Sequence, residues 1–253
     1  SATITATSGS VNATATATVS QVVTSVTLAP TSLSFSSVSD TATLVPTVKD
    51  ANNNVISGAT VTWATSAEGV ATISSAGLVT SVTNGSATIT ATSGSVNATA
   101  TATVSQVAVS LTLAPTSLSF ASVSDTATLV PTVKDANNNT IPSPTVTWTT
   151  SSSSIATVSS AGLVTAVANG SATITATSGS VTATATVTVS QVATSVTLAP
   201  TSLSFASLSD TATLVPTVRD ANNNAIPSPT VTWATSAEGV ATVSSAGLVT
   251  SVA

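Results

Sequence analysis

The side chains able to do chemistry are few, and they return on a fixed spacing. Asp50, Asp135 and Asp220 stand 85 residues apart, each opening the cluster Asp-Ala-Asn-Asn-Asn and each following a cation, Lys49, Lys134 or Arg219. Carboxylate and amide oxygens gathered in this way are ligands that Ca²⁺ prefers. Each cluster nevertheless offers a single carboxylate with no Glu after it, and Asp and Asn are the ordinary occupants of tight turns. The reading is a turn, and no residue is assigned to a metal. An exposed ion pair between each cation and its Asp would contribute little.

Nucleophilic hydrolysis needs a base, and the chain has no His and no Cys. Its many Ser and Thr hydroxyls have only sparse carboxylates and three cations as possible partners. Glu68 and Glu238 occur once per copy, and Ser153 holds that position in the middle copy, so no paired acid and base recurs. No catalytic residue, no cofactor-binding residue and no cofactor are assigned. The chain is expected not to be an enzyme.

Trp63, Trp148 and Trp233 could serve as stacking platforms for sugars. Each alternates with an apolar strand neighbour, which points it inward, and burial of a large aromatic is its usual use. The expectation is three indoles nearly inaccessible to solvent, each between two sheets, with Phe35, Phe120 and Phe205 likewise in the core. Asn12, Asn84, Asn97, Asn138 and Asn169 lie in Asn-x-Ser/Thr triplets, which arise by chance in a chain this rich in Ser and Thr. Two Pro-Ser-Pro segments, at 142–144 and 227–229, replace Ser57-Gly58-Ala59 of the first copy and read as stiffeners ahead of a strand.

Composition narrows the partners. Of 253 residues, 42% are hydrophobic and only 4% charged, with a net charge of −5. Three cations cannot neutralise a run of phosphates or anionic headgroups, so neither nucleic acid nor a membrane surface is expected as a partner. Thr and Ser interrupt every apolar stretch, so no membrane insertion is expected. The chain lacks Met and reads as a processed or excerpted segment.

What must position these residues is a repeat. Gln21, Gln106 and Gln191 open the phrases QVVTSVTLAP, QVAVSLTLAP and QVATSVTLAP. Differences between the first two copies concentrate at 57–59 and 67–70, where loops are expected. Apolar residues alternate with period two: Ala87, Ile89 and Ala91 between Ser86, Thr88, Thr90 and Thr92, and Val96, Ala98, Ala100 and Ala102 between Asn97, Thr99 and Thr101. Gly77, Asn84-Gly85, Ser93-Gly94 and the Asp-Asn clusters supply turns. About seven short strands per copy point to a two-sheet antiparallel sandwich.

The run TWATSAEGVATISSAGLVTSVTNGSATITATSGS, residues 62–95, resembles the bacterial immunoglobulin-like domains of group 2 in its strand Trp, a Val-Ala-x-Val segment with β-branched exchanges of Val and Ile, Gly-x-Val and Asn-Gly-x-Ala-x-Ile-Thr-Ala close. All three copies carry the pattern as far as they extend. The resemblance implies all-β, tandem immunoglobulin-like sandwiches with an 85-residue repeat, in an extracellular or cell-surface protein with a mainly mechanical role.

Four segments follow: 1–20, the last two strands of a domain; 21–105 and 106–190, whole domains; and 191–253, a domain lacking its last two strands. The opening SATITATSGS recurs at 86–95 and 171–180, where it closes a domain. Residues 1–20 of one copy are therefore expected to complete the domain begun by 191–253 of another, head to tail, in a filament or stalk, either by strands donated between separate chains or within one continuous polypeptide. Residues 2–8 would run antiparallel beside 230–236. Only an Asn-Gly turn is missing at the join, so Ala253 and the next Ser1 would lie within roughly 11 Å. The alternative is an adhesin or carbohydrate-binding module that contacts a receptor directly.

Overall fold

Alternation of Thr with Val, Ile or Ala gives each segment one dry face and one hydroxylated face, and the computed structural model, which describes all 253 residues, is built of strands without helix. It divides into two compact units, Ser1–Val109 with Lys134–Ile141, and Ser110–Val133 with Pro142–Ala253.

The first unit opens with a ribbon of β1 (Ala2–Ser8) and β2 (Val11–Ala17), paired antiparallel with Ile4 opposite Ala15. Every residue of the ribbon is exposed, Ile4 by 59%. A sandwich follows, made of β3 (Ser25–Ala29), β4 (Ser32–Phe35), β5 (Thr41–Thr43), β6 (Val45–Lys49), β7 (Thr62–Thr65), β8 (Ala71–Ile73), β9 (Leu78–Ser81), β10 (Gly85–Ser93) and β11 (Val96–Val104). One face is the sheet β4-β11-β10-β7; the other comprises the pair β3-β6 and the triplet β5-β9-β8. Leu33, Leu44, Val79, Ile89 and Ala102 pack between them.

Two features differ from the all-antiparallel, seven-strand expectation. β4 runs parallel to β11, with Ser32 beside Thr101 and Phe35 beside Val104. The count also rises to nine because the chain changes sheets mid-run. Leu44, fully buried, separates β5, which pairs with β9, from β6, which pairs with β3. Pro30, which has no N–H to give a ladder, separates β3 from β4. Alternation marks the faces of a strand and is silent on which neighbour it pairs with.

In the second unit, β12 (Ser110–Ala114), β13 (Ser117–Phe120), β14 (Thr126–Thr128), β15 (Val130–Lys134), β16 (Thr147–Thr150), β17 (Ala156–Val158), β18 (Leu163–Ala166), β19 (Gly170–Ser178) and β20 (Val181–Val189) repeat the plan, with β13 again parallel to β20. Beyond them stand β21 (Ser195–Ala199) paired with β23 (Val215–Arg219), and β22 (Thr211–Thr213) with β25 (Leu248–Ser251) and β24 (Ala241–Val243). Residues 202–205 and 232–235, which match β4 and β7, are not strands. The reason is topological: β4 pairs only with β11 and β7 only with β10, and residues 191–253 contain no counterparts of β10 and β11. A cleft of about 390 Å³ opens there beside Leu203, Leu214, Trp233 and Val249.

The indoles face inward but are half-buried, not nearly inaccessible as the sequence suggests. Trp63 lies opposite buried Ala91 and packs on the core, yet β7 is the edge of its sheet and leaves one flank of the ring open. Trp148 on β16 is placed identically opposite Ala176. Gly77 explains how the indole fits: at φ 82° it sits so close that a Cβ would come within 2.5 Å of the Leu44 carbonyl and 3.1 Å of Trp63 Cζ2.

Candidate functional site

The most polar buried constructions in the chain lie where one repeat meets the next. In the turn Ser36–Asp40, Ser39 adopts φ 68° and the Asp40 Oδ2 accepts the Ser37 N–H at 3.0 Å. Ser81 Oγ donates to the Ser37 carbonyl at 2.8 Å, which holds the turn against β9. That leaves the N–H and carbonyl of Val38 pointing away from their own sandwich, toward the loop that follows β15.

The loop is shaped by its Asp. Asp135 Oδ1 accepts the main-chain N–H groups of Asn137 at 3.0 Å and Asn139 at 2.9 Å, the geometry of an Asx turn. Its Oδ2 accepts Gln106 Nε2 at 2.8 Å and the Val38 N–H at 2.9 Å. Asn137 Nδ2 reaches Asp40 Oδ1 at 2.8 Å and the Val38 carbonyl at 2.9 Å; Asn139 Nδ2 reaches that carbonyl at 2.9 Å. Gln106 N–H donates to Asn84 Oδ1 at 2.7 Å, and Val107 N–H to the Ser36 carbonyl at 2.9 Å. Asp135 is 3% exposed. A buried carboxylate is tolerated when every oxygen is bonded, and here both oxygens take two donors.

The second unit contains the same joint. Asp220 Oδ2 accepts Val123 N–H at 2.9 Å and Gln191 Nε2 at 2.9 Å; its Oδ1 accepts Asn222 and Asn224 N–H at 3.0 and 2.9 Å. Asn222 Nδ2 bridges Asp125 Oδ1 and the Val123 carbonyl, and Gln191 N–H donates to Asn169 Oδ1 at 2.8 Å.

Burial alone would push the Asp135 carboxyl up, but the bonds from Gln106 and from the N–H groups of Val38, Asn139 and Asn137 outweigh it and hold it below the usual carboxylate value. Asp220 is lowered by the same balance of burial against Gln191, Asn224, Val123 and Asn222. Asp50, in the first loop, is lowered chiefly by Gln21, then by the Asn54 N–H.

The Asp-Asn clusters are thus turns, as their composition suggests, and the carboxylates of Asp135 and Asp220 spend their lone pairs on N–H donors. Their cations act on the same loops: Lys134 Nζ donates to Asn138 Oδ1 at 3.1 Å and Arg219 Nη1 to the Asn223 carbonyl at 2.7 Å. Asn97 projects from the exposed face of β11. Asn84 and Asn169 carry a joint hydrogen bond, a role missed when they are read as modification triplets. Glu68 lies beside the open flank of Trp63, with Thr65 and Thr72. The sequence signal for the joints is the unchanged repetition of Gln, Asp and alternate Asn while neighbouring loops diverge; the joints are assembled across the repeat boundary, where no local motif brings their residues together.

The sequence matches the family model of the bacterial Ig-like domain (group 2) over residues 22–104 and 108–189. The chain belongs to this family. Its two matched Ig-like domains contribute the two faces of the first joint and the receiving turn of the second. No curated protein matches the chain. Among solved structures, the chain is similar to domains 1–6 of the surface layer protein SbsC, at 26% identity and TM-score 0.34, covering 74% of this chain and 27% of that one. It is also similar to the Escherichia coli adhesin FdeC, at 20% identity and TM-score 0.41, covering 83% and 79%. A third is the Yersinia pseudotuberculosis adhesin InvE, at 20% identity and TM-score 0.36, covering 65% and 58%. The Ig-like chain therefore spans about a quarter of the SbsC structure. No helix is long and apolar enough to cross a membrane.

Proposed function

We propose that this chain is a structural segment of an extracellular or cell-surface filament or stalk, in which Ig-like domains are joined head to tail and no ligand chemistry is performed. The observation that carries the reading is the recurrence of one joint, Asp135 on Val38 and Asp220 on Val123, both at 2.9 Å. A hydrogen-bonded joint that recurs at both boundaries after residues 105 and 190 resists bending and torsion between neighbours, which is what an array under tension requires. A receptor-binding module would instead present aromatic or Arg anchors, and Trp63 and Trp148 pack against the core.

The ends extend the reading. The ribbon β1-β2 has no neighbour on either edge, and the face containing Leu203, Phe205 and Trp233 is open. Unpaired edges and an uncovered apolar face are complementary. Shifting the register of β10 on β7 and of β11 on β4 by the repeat places Ala6 opposite Trp233 and Val19 beside Phe205 of a second copy.

The chain has no Cys, so cross-linking is clean. A Thr5→Cys chain mixed with an Ala234→Cys chain, positions facing each other on the outer side of that pairing, is expected to give a dimer of twice 24.3 kDa with a short bis-maleimide. No dimer under conditions where each thiol is reactive overturns strand completion. A specific ligand found for the isolated chain on a glycan array overturns the purely structural role.

A further inference from the structure

We propose that the Asp50–Asn54 loop of one copy seats on the turn Ala206–Asp210 of a second copy, forming between molecules the same joint that Asp135 and Asp220 form within the chain. The proposal rests on the head-to-tail reading above and adds a second, polar interface to it, with its own residues.

Both halves are already in the bonded geometry. Asp50 Oδ1 accepts Asn52 and Asn54 N–H at 3.0 and 2.9 Å, and Oδ2 accepts Gln21 Nε2 at 3.0 Å. These are three of the four bonds common to Asp135 and Asp220; the fourth donor, a main-chain N–H from another repeat, is the one not supplied in this chain. Asn54 Nδ2 lies 3.3 Å from both Asp50 carboxylate oxygens, whereas Asn139 Nδ2 reaches across to Val38 and Asn224 Nδ2 to Val123, the latter keeping only a longer 3.5 Å bond to Asp220.

On the receiving side Ser209 adopts φ 63°, beside 68° and 71° at Ser39 and Ser124. Asp210 Oδ2 accepts the Ser207 N–H at 2.9 Å, and Ser251 Oγ donates to the Ser207 carbonyl at 2.8 Å. The turn is therefore rigid before any partner arrives, which lowers the ordering cost of docking. Leu208 stands where Val38 and Val123 stand. Those two are half-buried, and Leu208 is 67% exposed. The occupant the chemistry selects is a loop offering one carboxylate oxygen to the Leu208 N–H and two carboxamide donors to its carbonyl and to Asp210. Asp50, Asn52 and Asn54 are that set, at the spacing used twice in this chain.

The test is amide hydrogen exchange of the full chain at concentrations where it associates. Leu208 N–H is expected to slow to the rate of Val123, and Asp50→Ala is expected to release Leu208 at least tenfold while residues 2–17 keep their association-dependent protection. Protection of 2–17 without protection of Leu208 overturns the loop interface and leaves strand completion standing. Leu208 equally protected in the Asp50→Ala chain shows another occupant and also overturns it. If neither region gains protection at any concentration, the head-to-tail reading fails and the loop interface with it.

Discussion

Asp135 accepts the main-chain N–H of Val38, a residue of the preceding repeat, at 2.9 Å, with a separation of 97 residues along the chain. The bond is the centre of a joint in which a side chain of one domain completes the turn of another. Asp135→Ala removes an acceptor for four donors at once. Amide exchange at Val38 is expected to accelerate by on the order of tenfold or more, with Val123 unchanged because it is held by Asp220. Unchanged exchange at Val38 would assign the joint to other contacts.

The joints also fix the response to acid. Their carboxylates are held below the usual value in the folded chain, so the unfolded state binds protons first as pH falls. Their contribution is fully present above the unfolded value, about 3.9, and is lost as pH drops through the lower folded values. The melting temperature is expected to stay flat from about pH 8 to pH 5 and to fall only below about pH 4. Monitoring the melt across that range checks both halves of the statement, and a steep change between pH 5 and pH 8 contradicts it.

Gly77 fixes the packing of the Trp63 edge. Gly77→Ala meets both a left-handed φ of 82° and a Cβ position 2.5 Å from the Leu44 carbonyl. Backbone cannot yield as a flexible side chain can, and the substitution is expected to destabilise its domain by about 2 kcal/mol or more. Gly94→Ala, with nothing within 4 Å of the added carbon at φ 62°, separates backbone strain from collision and should cost less in the same chemical denaturation series.

Trp63→Ala is expected to cost about 3 kcal/mol, the low end for a core aromatic, because one flank of the ring is already open at the sheet edge. Equilibrium denaturation checks it. A cost near zero would return the indole to the surface and revive the stacking-platform reading.

Much of this was legible in the residues. Period-two alternation in 86–104 marks β10 and β11, and the Ser-Gly pair marks their hairpin. The Asp-Asn clusters are turns as composition requires. Other features depend on partners that alternation does not specify. Nothing in Ser32–Phe35 declares a parallel neighbour, and nothing in Thr41–Lys49 announces that Leu44 divides one run between two sheets. Trp63 is inward by pattern, and only its edge position leaves it half-exposed. The joints were the least legible element, since Asn84, Gln106, Asp135 and Val38 are distant in sequence and meet only where two repeats adjoin.

The most direct test of a head-to-tail structural role is sedimentation velocity of the full chain over a wide concentration range, beside a chain lacking residues 1–20. The account predicts an open series of species above 24.3 kDa that lengthens with concentration for the full chain, and a single small species for the truncated one. A full chain that sediments as a monomer at every concentration, indistinguishable from the truncated chain apart from mass, would contradict it.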